Sequence, residues 1–343
     1  MLQPAKSYDF SVFTRPHIQI IFMVCTITLL FSMAFYRMRH GNPIDPIPGI
    51  QTEQQENYPI HTQVDTGFFV RNFLDFNVLT NTFIADAYVW FEFDPKVVPA
   101  QAIDDFYFGK ATIKNKSHPY TYSKDGKNFT GYNVPIHFQT NLNYRHFPID
   151  NHRIYLTLNN ASLPLYHAAF ATAQSSFQVA STIYASGWTY KNKSVKSGLQ
   201  TSILDDTSQK KLINPRIVFS LDFANESFKR FILITMPLFI LFFLSLFTLS
   251  LDARKQYETV VGIAAAMMTA LVSYNFVIES ASPKVAYFTL SDTFFNLFLV
   301  LNFLIFLFDA ICIRWLMTYR GILVLFFHGL LITCWMFLLY WWI

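Results

Sequence analysis

The last third of the chain is too apolar to fold as anything but membrane-spanning helices or a deeply buried core. Four stretches, residues 231–251, 258–278, 287–313 and 321–343, are each long enough to cross a bilayer, which takes about 20 predominantly apolar residues. In hydrocarbon every backbone amide has to be satisfied within its own segment, so such stretches are restricted to helices. A fifth stretch, 18–35, stands alone near the amino terminus.

The second of the four differs from its neighbours. At helical spacing Glu258, Gly262, Ala266, Thr269, Ser273, Phe276 and Glu279 fall on one stripe, with Val261, Ala264, Met268, Leu271 and Ile278 opposite. At about 1.5 Å per residue its two glutamates lie roughly 30 Å apart, the thickness of the hydrocarbon layer. A helix in lipid has no reason to collect Thr, Ser and terminal carboxylates on one stripe unless the stripe meets water or polar groups. The stripe reads as one wall of a pore.

Composition agrees with a membrane protein that has a sizeable polar part: 52% of the 343 residues are hydrophobic, 18% aromatic and only 14% charged. The net charge of +4 is dispersed, with no basic cluster for nucleic acid. The three cysteines all lie in apolar stretches and read as small buried hydrophobes. No HExxH, GxSxG, GxGxxG or P-loop occurs, and Asp104-Asp105 reads as a solvated acidic turn. No enzymatic activity, cofactor or metal is expected.

Residues 1–40 fit a removed signal peptide and a retained anchor equally: Ser32-Met33-Ala34 resembles a cleavage site, whereas Arg37 and Arg39 follow it directly. Both deliver the next region to the outer side. Residues 41–58 read as a linker without a packing pattern. From 59 to 228 the texture changes to short runs of Val, Ile, Phe, Tyr and Thr, at 67–77, 82–93, 132–142, 153–159, 182–191 and 215–223. Ile217, Phe219, Leu221 and Phe223 alternate as in a strand packed on one face. Ser123–Gly126 and Asp205–Ser208 read as hairpin turns. These runs predict an all-β sandwich. Arg254, Lys255, Arg314 and Arg320 in the loops after the first and third of the four spans place those loops inside.

Three motifs then carry a resemblance. Phe147-Pro148-Ile149-Asp150 is similar to the F-P-F-D loop of the pentameric ligand-gated ion channels; Pro237 sits inside the first of the four spans, as in that family; and YNFVIESASPKVAYFTLSD, residues 274–292, resembles the end of the pore helix and the following connection in its bacterial members. The likeness runs from about residue 59 to the carboxyl end. Thr140 and Ile154 stand where the animal branch has its bracketing cysteines, so the chain resembles the cysteine-free branch. His152 replaces the usual Gln, Asn225 the usual Arg before the first span, and 314–320 is a minimal inner loop.

The resemblance implies an extracellular immunoglobulin-like sandwich (59–228) followed by a four-helix transmembrane bundle (229–343), with an extra amino-terminal hydrophobic helix. It implies a homopentamer in a cell membrane, the bacterial inner membrane, conducting monovalent cations. Glu258 would form the selectivity ring; Thr269 stands where the family places a bulky aliphatic gate, so the gate is read instead near Phe276, the bulky apolar residue on the stripe. Phe147, Pro148 and Asp150 would press on Pro283, Lys284 and Tyr287 to couple the β-domain to the pore, with Asp150 leaning on Lys284 or Arg230. The agonist stays open between a small amine, caged by Trp90, Tyr166, Trp188 and Tyr190, and protons acting on His146, His152 and His167 near the coupling region. The alternative is a membrane-anchored outer sensor or partner-binding protein without conduction.

Overall fold

The computed structural model describes residues 10–41, 45–50, 60–205, 210–226, 228–252, 255–312 and 319–341. They divide into two compact units: one collects the long helices and the turn Tyr144–Asp150, the other takes Asn42–Asn143 and Asn151–Glu226.

The second unit is built from strands β1 (Thr62–Asn77), β2 (Thr82–Phe93), β3 (Phe106–Gly109), β4 (Ala111–Ile113), β5 (Tyr120–Lys124), β6 (Lys127–Phe138), β7 (His152–Asn160), β8 (Ala168–Ala171), β9 (Phe177–Val179), β10 (Trp188–Asp205) and β11 (Lys210–Asn225), with a short helix α2 (Ala100–Asp104) before β3. They form two sheets. One has seven strands along β4-β6-β2-β1-β8, with β5 added to β6 and β9 to β1; the other has four, in the order β10-β11-β7-β3. Alternation decides which side of each strand is buried. In β2, Phe83, Ala85, Ala87, Val89, Phe91 and Phe93 are buried at every second position. In β11, the predicted set Ile217, Phe219, Leu221 and Phe223 is fully buried. Rings from the two sheets meet there, Phe68 on Phe219 at 4.7 Å and Phe91 against Phe106 at 5.2 Å, and such large apolar side chains dominate core energetics.

The predicted Asp-Gly hairpin is present between β5 and β6: Lys124 pairs with Lys127, and Asp125 and Gly126 both take positive φ, 50° and 80°. That pair of left-handed residues matches the right-handed strand twist. The other predicted turn lies outside the described residues at 206–209, although Asp205 pairs with Lys210 across it. The run predicted at 182–191 becomes a strand only from Trp188, after Gly187 turns the chain with φ 76°. One expectation is overturned. The segment read as a linker without packing contributes Asp45 to the interior, where it is 3% exposed. Its carboxylate accepts bonds from the amides of Asn143 and Arg153 at 2.5 and 2.7 Å and lies 3.1 Å from His152 Nδ1.

Among the described residues five helices are long and apolar enough to cross a membrane. They are α1 (Pro16–His40), α3 (Phe228–Phe247, continued by a 3-10 turn), α4 (Tyr257–Ala281), α5 (Leu290–Leu307, ending in a π turn) and α6 (Arg320–Trp341). The span predicted at 287–313 begins three residues late because Thr289 and Asp292 form a reciprocal capping box, a start signal that hydropathy does not register. Trp335 of α6 centres the helical core, stacked on Phe294 at 4.2 Å and near Phe239 at 5.2 Å. Helix α1 joins this core: Leu30, Ala34 and Met38 are buried, and Phe31 packs on Phe231 and Phe239 at 5.4 and 5.5 Å.

Candidate functional site

Every residue of the polar stripe on α4 is exposed within its own chain. Glu258, Gly262, Ala266, Thr269 and Ser273 lie open, Phe276 and Glu279 border a hollow shared with Pro283, Tyr287 and Asp292, and Val260, Ala264, Leu271 and Ile278 pack inward. Phe276 is 73% exposed, so the bulkiest apolar side chain of the stripe has no place in the fold of a single subunit. Gly262 is not required for close packing either, since a Cβ there would meet nothing within 4 Å. The hydroxyls turn back on the helix: Thr269 donates to the Ala265 carbonyl at 3.1 Å and Ser273 to the Thr269 carbonyl at 2.9 Å. Asn275 donates to Glu279 at 2.7 Å. Glu258 sits in the first turn, where the N-cap residue Gln256 makes no side-chain cap bond. Its charge is favoured there by the helix dipole.

The opposite face is held by a contact the sequence reading missed. Pro237 has no amide to offer the Leu233 carbonyl four residues earlier. Tyr274 of α4 supplies the missing donor, its hydroxyl lying 2.8 Å from that oxygen. The signal was present in principle: a proline inside a helix frees one carbonyl, and a tyrosine three residues from the end of a buried stripe can reach it.

The turn 144–150 belongs to the helical unit, not to the sheets that flank it in sequence. Phe147, Pro148 and Asp150 are buried. The turn docks mainly through backbone. The amides of Leu290 and Ser291 donate to the carbonyls of Arg145 and Phe147 at 2.8 and 3.0 Å, and the Tyr144 amide donates to the Tyr287 hydroxyl at 3.0 Å. Arg230 lies over the Phe147 ring at 5.9 Å, and Arg145 over Tyr287 at 5.8 Å. Tyr287 is thus met by Tyr144 and Arg145, and Arg230 by the Phe147 ring. Pro283 is buried, whereas Lys284 is exposed and makes no ion pair among the described residues. The receiving surface is the start of α5, because its uncapped amides are the available donors. Asn225, in the place of the expected arginine, is buried, and its backbone amide donates to Asn151 Oδ1 at 2.9 Å.

The aromatic candidates do not come together in one chain. Trp90 lies over Gly67, where a Cβ would come within 2.1 Å of the ring, and stacks on Phe129 at 5.7 Å. Trp188 neighbours Phe76 and His152, at 6.4 and 5.2 Å. Gly67 and Phe76 are about 30 Å apart along β1, so Trp90 and Trp188 mark opposite regions of the sheet. Tyr190 packs on Phe223 at 6.1 Å, and Tyr166 closes a 3-10 turn before β8. The cation that is held between aromatic faces is the chain's own: Lys116 Nζ lies 4.2 Å from the Phe106 ring and 4.3 Å from Tyr132, with Asp104 at 2.5 Å. Asp104 stays exposed, as expected, and is also the ion-pair partner of Lys116, whose bond holds its carboxyl below the usual range.

The three histidines are also scattered. His146 lies in the docked turn and His152 is fully buried against Asp45. His167 is exposed beside His61 and the first residue of β1. In comparisons with known proteins, no family model matches the chain and no curated protein matches it.

Proposed function

We propose that the chain is the subunit of a homopentameric cation channel, resembling the cysteine-free pentameric ligand-gated channels. In this reading the two sheets form an immunoglobulin-like sandwich on the outer side of a bacterial inner membrane, helices α3 to α6 form the four-helix bundle, and α4 lines the pore. The observation that carries it is the stripe on α4: it runs from Glu258 to Glu279, and each of its residues stays exposed in the single subunit. Five such stripes facing one axis would enclose a lumen with a carboxylate ring at its inner mouth, which attracts cations and repels anions. Phe276 is the bulky apolar level at which that lumen would close.

The docked turn supplies the coupling route. A ligand or a proton that favours one arrangement of the β-unit would act on the start of α5 through Phe147 and Tyr287, and it could shift the pore only by its differential affinity for the two states.

The test is current through planar bilayers carrying the purified full-length protein, while pH and small amines are varied. In a salt gradient the wild type should reverse near the cation potential, and Glu258→Gln should move reversal toward zero. A detergent particle of one or two copies with no conductance under any condition would favour the anchored sensor instead.

A further inference from the structure

We propose that the β-unit carries a binding site for a small organic carboxylate, centred on Arg216 and independent of the pore. Arg216 lies on β11 on the side opposite the buried Ile217 and Phe219, paired in register with Asn159 of β7. It opens into a cavity of about 310 Å³ walled on one side by Pro46, Ile47 and Pro48.

A half-buried guanidinium ordinarily has a carboxylate partner, because removing its charge from water is costly. The same sheet shows the ordinary arrangement: Arg153 forks onto Asp222 at 2.6 and 3.0 Å, and that carboxylate raises its pKa. Arg216 has no such partner. Its Nε donates to Asn159 Oδ1 at 2.9 Å, and no carboxylate pairs with it among the described residues. Burial pulls its pKa down, countered only by Tyr107 and Tyr155. The nearest further charge in the cavity is positive, Lys110, anchored to Asn141 at 2.7 Å.

The remaining groups fit the class of guest. With Nε committed, the two terminal nitrogens of Arg216 form a planar fork that matches a carboxylate. The hydroxyls of Tyr155 and Thr157 line the same cavity; that of Tyr155 already accepts from the Asn141 amide at 3.4 Å, so its proton points to another acceptor. The prolyl and isoleucyl wall suits the carbon body of an organic acid better than an isotropic inorganic anion. The volume is at the small end for ligand sites.

Titration calorimetry on the full-length protein in detergent tests this with succinate, inorganic phosphate and chloride as separate titrants. The expected result is saturable succinate binding, one per chain, lost in Arg216→Gln and weakened roughly tenfold or more in Lys110→Gln, which removes one charge-assisted bond. Absence of succinate binding, phosphate binding without succinate binding, or succinate affinity unchanged in a folded Arg216→Gln protein would each overturn the proposal. Should Arg216→Gln fail to fold, Lys110→Gln decides, since Lys110 is exposed; unchanged affinity there sinks the idea.

Discussion

Helices α3 and α4 are neighbours in sequence and both apolar enough to span a membrane, yet they are used in opposite ways. Over its spanning window α3 is 56% buried within the chain and α4 only 17%. Helix α3 sends Phe231, Phe239 and Phe242 into a core of rings. Helix α4 buries only Val260, Ala264, Leu271 and Ile278 and leaves its polar stripe exposed. One helix completes its packing inside the subunit; the other has a face that only further copies, or water, can satisfy.

That contrast can be broken by substitution. The largest effect is expected at the ring core. Trp335→Ala should lower subunit stability by about 3–5 kcal/mol, as for other buried aromatics cut to alanine, read from thermal unfolding in detergent. Phe276→Ala, by comparison, should leave the subunit's unfolding unchanged while altering resting current and activation. Equal destabilisation by both would erase the distinction between the two helices. A smaller effect is expected at the joint between them. Tyr274→Phe removes the donor to the Leu233 carbonyl and should cost about 1 kcal/mol, with helix-selective loss of amide protection near residues 233–237 in hydrogen exchange as the check. The smallest has the opposite sign. Gly262→Ala meets open space and should stabilise the isolated subunit by about 0.5–1 kcal/mol through helix propensity; destabilisation would mean that the stripe is packed after all.

The parts of this molecule that repeat at short range were legible from residues alone. The 3.6-residue spacing of the α4 stripe, the two-residue alternation of β2 and β11, and the Asp125-Gly126 turn are each visible in a short window, because each follows from local backbone geometry. The misreading of Asp45 as linker has a physical cause: it carries no periodic signal and is defined by partners far along the chain.

Sequence by itself therefore determined which segments are helices fit for a membrane, that a β-rich region precedes four of them, and which side of α4 is polar. Tertiary structure alone decided that the turn 144–150 leaves the sheets to dock on the start of α5, that Tyr274 completes the hydrogen bonding Pro237 interrupts, and that Arg153 is paired while Arg216 is not. Periodicity is a property of one element against one environment. Hydrogen bonds and ion pairs between residues tens to a hundred positions apart depend on where two elements meet, and that meeting is set by the packing of the whole unit.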